Sequence, residues 1–89
     1  MLALKQGSRF KKDMKACRKQ ELDLQQLKDV IETLQKGEPL EDKHRDHGLS
    51  GHWNGWRDCH IAPDWVLIYR VEGDELELAR TGSHAKLFG

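Results

Sequence analysis

The run Trp65-Val66-Leu67-Ile68-Tyr69-Arg70-Val71 decides the fold. It is a near-continuous series of β-branched and aromatic residues, the pattern of a strand buried on both faces. Directly after it come Glu72-Gly73-Asp74, a turn, and Leu76-Glu77-Leu78-Ala79-Arg80-Thr81, where alternation puts Leu76 and Leu78 on one side. The two runs predict an antiparallel hairpin with the first strand at the centre of a sheet. Arg57 to Ile61, ahead of Pro63, predicts a further strand, and Ser83 to Phe88 a terminal turn or short helix.

Upstream the period changes. Phe10, Met14 and Cys17 are spaced i, i+4, i+7, a helical stripe with Ser8 as N-cap. Leu24, Leu27, Val30, Ile31 and Leu34 form a second stripe that starts near Asp23 and stops at Gly37 and Pro39. The few polar residues around Gln20 between them predict an antiparallel helix hairpin. Leu2 to Lys5 fits a first strand. The order β-α-α-β-β-β predicts an α+β domain with both helices on one face of a small sheet. With 89 residues the chain has room for one core, so a single domain over 1–89 is expected.

Net charge is zero, which argues against a polyanionic partner until the distribution is considered. Residues 1–20 carry seven basic side chains (Lys5, Arg9, Lys11, Lys12, Lys15, Arg18, Lys19) against Asp13, a net +6. Residues 21–42 carry two basic and seven acidic side chains, a net −5. A basic face of this kind can steer toward nucleic acid, or it can be a solvated helix face answering the next helix. The apolar start Met1-Leu2-Ala3-Leu4 meets Lys5 at once, too short for a signal or a membrane span, so a cytoplasmic protein without membrane contact is expected. Cys17 and Cys59, two in number and without a CxxC spacing, fit free thiols in a reducing compartment.

The segment 38–55 is polar, broken by Gly48, Gly51 and Gly55, and predicts a long functional loop. Four of the five histidines, His44, His47, His52 and His60, fall within residues 44–60, and the fifth is His84. Histidine can take and give a proton near neutral pH, so several in one pocket suit acid–base catalysis. His44 and His52, in flexible polar sequence, are the weaker candidates. A zinc site is the rival, but His44-x-x-His47, His52, Cys59 and His60 lack the usual spacing, and adjacent Cys59 and His60 belong to opposite faces of a strand.

Three motifs identify a relationship. Asp46-His47-Gly48-Leu49-Ser50-Gly51, Arg57-Asp58-Cys59-His60-Ile61-Ala62-Pro63-Asp64-Trp65-Val66-Leu67-Ile68-Tyr69 and Arg80-Thr81-Gly82-Ser83-His84-Ala85-Lys86-Leu87-Phe88 resemble the YafQ branch of the RelE-like toxins. The resemblance implies two helices against a small twisted antiparallel sheet. It also implies the toxin of a type II toxin–antitoxin pair, a ribosome-dependent endoribonuclease that cuts mRNA in the decoding site. Carried over position by position, it makes His47, His60, Asp64 and His84 catalytic, and Trp65 and Phe88 part of the same site. His52, Trp53 and Trp56 fall outside the pattern.

Metal-free RNA cleavage needs a base for the 2′-hydroxyl, an acid for the 5′-oxygen and positive charge at phosphorus. His84 is the expected acid, and His60, oriented by Asp64, or His47 the base; no cofactor and no metal are required. Phe88 and Trp65 are expected to stack on RNA bases, although Trp65 could equally be core. Arg57 and Arg80 are expected phosphate contacts unless they pair with Asp58 and an acidic neighbour. Lys11, Lys12, Lys15, Arg18 and Lys19 would dock on the ribosome. The expected partners are the ribosome, mRNA and a cognate antitoxin, the last in a 2:2 assembly. The alternatives are a non-catalytic RNA- or antitoxin-binding module of the same fold and a zinc-dependent domain.

Overall fold

The computed structural model describes residues 1–89. Strand β1 (Ala3–Gln6) leads into helices α1 (Ser8–Lys19) and α2 (Leu24–Gln35). A loop with two short 3-10 turns, Asp42–His44 and Gly51–Trp53, flanks the two-residue strand β2 (His47–Gly48). Strands β3 (Arg57–Ala62), β4 (Trp65–Glu72) and β5 (Glu75–Gly82) follow, and helix α3 (His84–Phe88) ends the chain. No helix is long and apolar enough to cross a membrane.

The α+β class and the helix pair stand as expected, with differences of detail in the sheet. Its order is β1-β5-β4-β3-β2, five strands with β2 as the additional one. It is mixed, because β1 runs parallel to β5 while every other neighbour is antiparallel. The chain between the two, the helix hairpin followed by β2 to β4, is far longer than the connection a parallel pairing needs. At the start of α1 the cap is Gly7 and Ser8 is already helical, whereas Asp23 caps α2 by accepting from the Gln25 N–H. Gly37, at φ +73°, turns the chain out of α2 in the left-handed conformation that glycine adopts freely.

Strand β4 explains its own composition. Trp65, Leu67 and Tyr69 join Phe10, Cys17, Leu27, Val30 and Leu34 of the helices, with Cys59, Ile61, Leu76 and Leu78 of the neighbouring strands. Val66 and Ile68 point to the other face, into a smaller cluster with Leu87, flanked by Leu49, Trp53, Trp56, Ala79 and Phe88. Both faces are covered, so no polar position interrupts the run from Trp65 to Tyr69. Burial stops sooner than the sequence implies: Val71 is 53% exposed. Strand β3 ends with Arg57 opposite Tyr69, so nothing lies beside Val71 on that side.

Strand β5 breaks its alternation. A register shift opposite Ile68/Tyr69 leaves Ala79 between Leu78, which faces Tyr69, and Arg80, which faces Ile68. The bulge moves Arg80 off the face of Leu76 and Leu78 and onto the face of Ile68. Thr81, now opposite Leu67, is fully buried.

Candidate active site

The histidines meet on the sheet face turned away from α1 and α2. On β3, Cys59 and Ile61 enter the helix-side core, so Asp58 and His60 project to the opposite face, across from Ile68 and Val66. His47 on β2 is paired with Asp58. His84 opens α3, whose Ser83 cap accepts from the Lys86 N–H. One turn later Phe88 places its ring 4.8 Å from that of His84, tilted by 45°. Three separate stretches of chain thus deliver His47, His60 and His84 around one carboxylate.

That carboxylate is Asp58, which sequence reasoning passed over. It is 2% exposed, and its Oδ1 lies 3.1 Å from His47 Nε2, though outside hydrogen-bonding geometry and with no other partner. Burial pushes the Asp58 carboxyl above its ordinary value, while the charges of His47, His60 and His84 pull it down. His47 Nδ1 is 2.7 Å from the Arg45 carbonyl, which can only accept, so Nδ1 carries a proton. Arg45 adopts a left-handed backbone, φ +47°, where the chain turns toward β2.

Asp64 does not occupy the expected place beside His60. It sits exposed on the turn between β3 and β4, with no ion pair or hydrogen bond to that ring. His60 is half-buried, and its backbone carbonyl accepts from His44 Nδ1 at 2.6 Å. This bond gives His44 a structural job on the far side of the loop. His52 is exposed, edge-on to Trp53.

Trp65, expected as core or as a stacking surface, belongs to the core. It is 4% exposed, and its indole N–H donates to Thr81 Oγ1 at 2.9 Å, which in turn donates to the Val66 carbonyl. Phe88 lies on the open face, half-buried beside His84. Arg57 pairs with Asp46, at 3.3 Å from Nε, and not with Asp58. Tyr69 donates its hydroxyl to the same Asp46 oxygen, and the bonds to Tyr69 and Asp46 hold the Arg57 guanidinium above its usual value. Arg57 and Tyr69 thereby fix Asp46, the residue preceding His47.

Arg80 finds its acidic neighbour in Asp13 of α1. Its Nε and one terminal nitrogen reach the two carboxylate oxygens at 2.7 and 3.0 Å. The Thr81 N–H donates to the same group at 3.1 Å, and Lys86 Nζ is 3.6 Å away. Burial opposes ionisation of Asp13, but the Arg80 hydrogen bond, the Thr81 N–H and the charges of Arg80 and Lys86 outweigh it and hold the carboxyl below its ordinary value. Asp13 therefore clamps the basic helix α1 to the segment that carries His84. Lys86, held near Asp13, is a further cation of α3 that the sequence did not single out. Burial drives the Cys59 thiol far up and raises Cys17, which leaves neither as a nucleophile.

On α1, Lys11, Lys12, Lys15, Arg18 and Lys19 engage in no ion pair, whereas the helix's one acid is consumed by Arg80 and Lys86. The helix surface is strongly cationic as a result. Lys11, Lys15 and Arg18, with Lys28 of α2, rim a groove between α1, α2 and β1 whose floor includes Leu4, Phe10, Met14, Leu24, Leu27 and Ile31.

Comparison with known proteins agrees with this geometry. Residues 2–89 match the model of a family described as the bacterial toxin of type II toxin–antitoxin system, YafQ. The mRNA interferase toxin YafQ of Escherichia coli is 40% identical over 84 residues, covering 93% of this chain and 91% of that protein. A copper-bound mutant toxin from Helicobacter pylori superposes with a TM-score of 0.96 at 45% identity, over 99% of this chain and all of that one. The E. coli DinJ–YafQ toxin–antitoxin complex gives a TM-score of 0.90 at 38% identity, over 99% and 98% of the two chains. The chain belongs to the YafQ family of toxins from bacterial type II toxin–antitoxin systems.

Proposed function

We propose that this toxin is an mRNA interferase, an endoribonuclease that cuts mRNA in the ribosomal A site and so halts translation in the cytoplasm. The observation that carries the reading is the convergence of His47, His60 and His84, from three segments, around the buried Asp58. The name of the E. coli relative, 40% identical over most of both chains, supports the same activity.

The chemistry follows from what these side chains can do. A base removes the 2′-hydroxyl proton, the 2′-oxygen attacks phosphorus, and the bond to the 5′-oxygen breaks as an acid protonates it. The products are a 2′,3′-cyclic phosphate and a free 5′-hydroxyl. His84, at the start of α3, is the acid. His60 or His47 is the base, and the buried Asp58 stands beside His47. Arg80 and Lys86 supply positive charge to the phosphorane. Phe88 stacks on an unstacked base, as single-stranded recognition requires. Arg57, tied to Asp46, holds the His47 segment and offers its remaining donors to a phosphate. The part played by Asp64 rests on the family resemblance alone. Trp65 acts by supporting the sheet beneath the site.

The basic helix α1 docks on ribosomal RNA through Lys11, Lys12, Lys15, Arg18 and Lys19. A cognate antitoxin covers the toxin in a 2:2 assembly, as expected of a partner that must silence it, and adds stability by binding the folded state. The DinJ–YafQ complex of E. coli supports such a pairing. Cleavage of a defined mRNA on programmed ribosomes kept in Mg²⁺, by toxin first stripped with EDTA and then freed of the chelator, tests the activity. Undiminished cuts ending in cyclic phosphate are expected. Binding without cutting would instead mark a non-catalytic module, and cutting restored only by added zinc would mark a metal-dependent one.

A further inference from the structure

His52, Trp53 and Trp56 take no part in the chemistry above, yet the fold holds the two tryptophans with care. Trp53 stands edge-on to Trp56, ring centroids 6.0 Å apart at 86°. The Arg70 guanidinium covers the Trp56 ring 4.3 Å from its centroid, a cation–π contact. Arg70 is itself fixed by Glu77 at 2.6 Å, and Glu77 also meets Lys5 at 3.7 Å. Both tryptophans stay half-buried.

Beside the pair, between it and the start of α1, is a hollow of about 260 Å³ whose lining includes Lys5, Arg9, Trp53, Trp56, Ala79 and Arg80. That is below the roughly 300–1,000 Å³ of a pocket for a drug-sized ligand, and suits a single ring system. The hollow is cationic. Its one acid, Glu77, is already neutralised by Arg70 and Lys5, and Arg9 has no ion-pair partner. Packing alone accounts for part of this, since both tryptophans cover Val66 and Ile68. It does not account for the positive rim or for the open space beside the rings. An aromatic surface with unpaired arginine is the combination that holds single-stranded nucleic acid, a base on the ring and its phosphate on the cation. Phe88 packs on the same small apolar cluster, so the hollow and the histidines share one sheet face.

We propose that this hollow is a second nucleobase subsite. It takes one unstacked base of the mRNA strand, adjacent to the nucleotide being cut, against Trp53, with the phosphate of that nucleotide on Arg9. The proposal rests on the ribonuclease reading and deepens it, by making the enzyme contact the message at two stacking points, Phe88 and Trp53.

The full chain is titrated with a single-stranded oligoribonucleotide carrying a 2′-deoxy residue at the cut site, and the three indole N–H signals are followed by NMR. The Trp65 indole, buried and bonded to Thr81, is the internal reference. The expected result is a shift of the Trp53 signal with Trp65 unmoved. Trp53→Ala should raise Kd on the order of tenfold, with Trp53→Phe retaining most of the affinity because a ring still covers the cluster. Arg9→Gln, an exposed change, should lower the salt slope by about one counterion. A Trp53 indole signal that stays in place, with an unchanged Kd in Trp53→Ala, would overturn the subsite and leave the ribonuclease intact. A crosslink from position 53 on programmed ribosomes should land in mRNA; one found only in ribosomal RNA would overturn the assignment to the message. Failure of the unmodified chain to cut mRNA would sink the parent reading separately, because oligonucleotide binding is read without cleavage.

Discussion

His47 Nε2 lies 3.1 Å from Oδ1 of Asp58, a carboxylate shut away from solvent under β2. Because burial raises the Asp58 pKa in the folded state, its proton is held more tightly there than in the unfolded chain. Its contribution to stability is therefore fully present at or below the ordinary carboxylate value and is lost as pH rises through the raised folded value. Asp58→Asn should flatten that dependence and raise Tm at pH 7 by several degrees, since a kcal/mol is worth roughly 4–8 °C in a domain of this size. Cleavage should nonetheless fall, because His47 loses the carboxyl group beside it. Thermal melts from pH 4 to 7 and a cleavage assay check both. A fall in Tm at every pH would show that the carboxylate stabilises the fold instead.

Asp13 behaves in the opposite sense. Its depressed pKa means that the stability it supplies is present above the ordinary carboxylate value and disappears as pH falls through the folded one. Asp13→Ala removes the partner of Arg80 and of the Thr81 N–H, and should cost about 3 kcal/mol, the scale for breaking a buried pair. Denaturant unfolding at pH 7 measures it. A loss below about 1 kcal/mol would mean that α1 and β5 are held together by their apolar contacts.

Removal of the imidazoles proposed as catalytic should separate activity from stability. His84→Ala and His60→Ala are each expected to slow mRNA cleavage on the order of 10²-fold with little change in Tm. His44→Ala should keep most of the activity and lose about 1 kcal/mol, the usual worth of a hydrogen bond such as the one it makes to the His60 carbonyl. Full cleavage by His84→Ala would move the acid role to His47 or to a cation such as Lys86.

Charge reversal at Lys12 and Lys19 on the exposed side of α1 should weaken ribosome binding and reduce its salt dependence, through fewer released counterions. The fold should be unaffected, since neither side chain has a partner. Affinity equal to that of the unaltered chain at both low and high salt would identify the basic face as solvated surface only.

The parts of the fold legible in the sequence are those written in local periodicity. The helix stripes of Phe10–Cys17 and Leu24–Leu34 are 3.6-fold patterns, and both pack into the core on one sheet face. The uninterrupted Trp65–Tyr69 run stated that β4 is covered twice. The candidate histidines stand out by composition and the motifs imply one site for them, but the approach of His47 to Asp58 comes only from the pairing of β2 with β3. Asp58 was hidden because nothing in Arg57-Asp58-Cys59-His60 says which carboxylate faces inward, whereas Asp64, next to Pro63, looked equally available.

By itself the sequence determined the α+β class, the helix hairpin, the central strand and the residue types from which a metal-free nuclease site can be built. The tertiary structure decided their disposition. A strand's local pattern does not specify the direction of a partner seventy residues away, so the parallel pairing of β1 with β5 had to come from the path of the chain between them. Strict alternation would have put Arg80 on the face of Leu76 and Leu78, and one extra residue at Ala79 reversed it. Side-chain direction in a sheet has a period of two, so a single bulge, invisible in composition, sets which face a charge occupies. The same register logic carries Asp58 to His47 and leaves Asp64 on the rim.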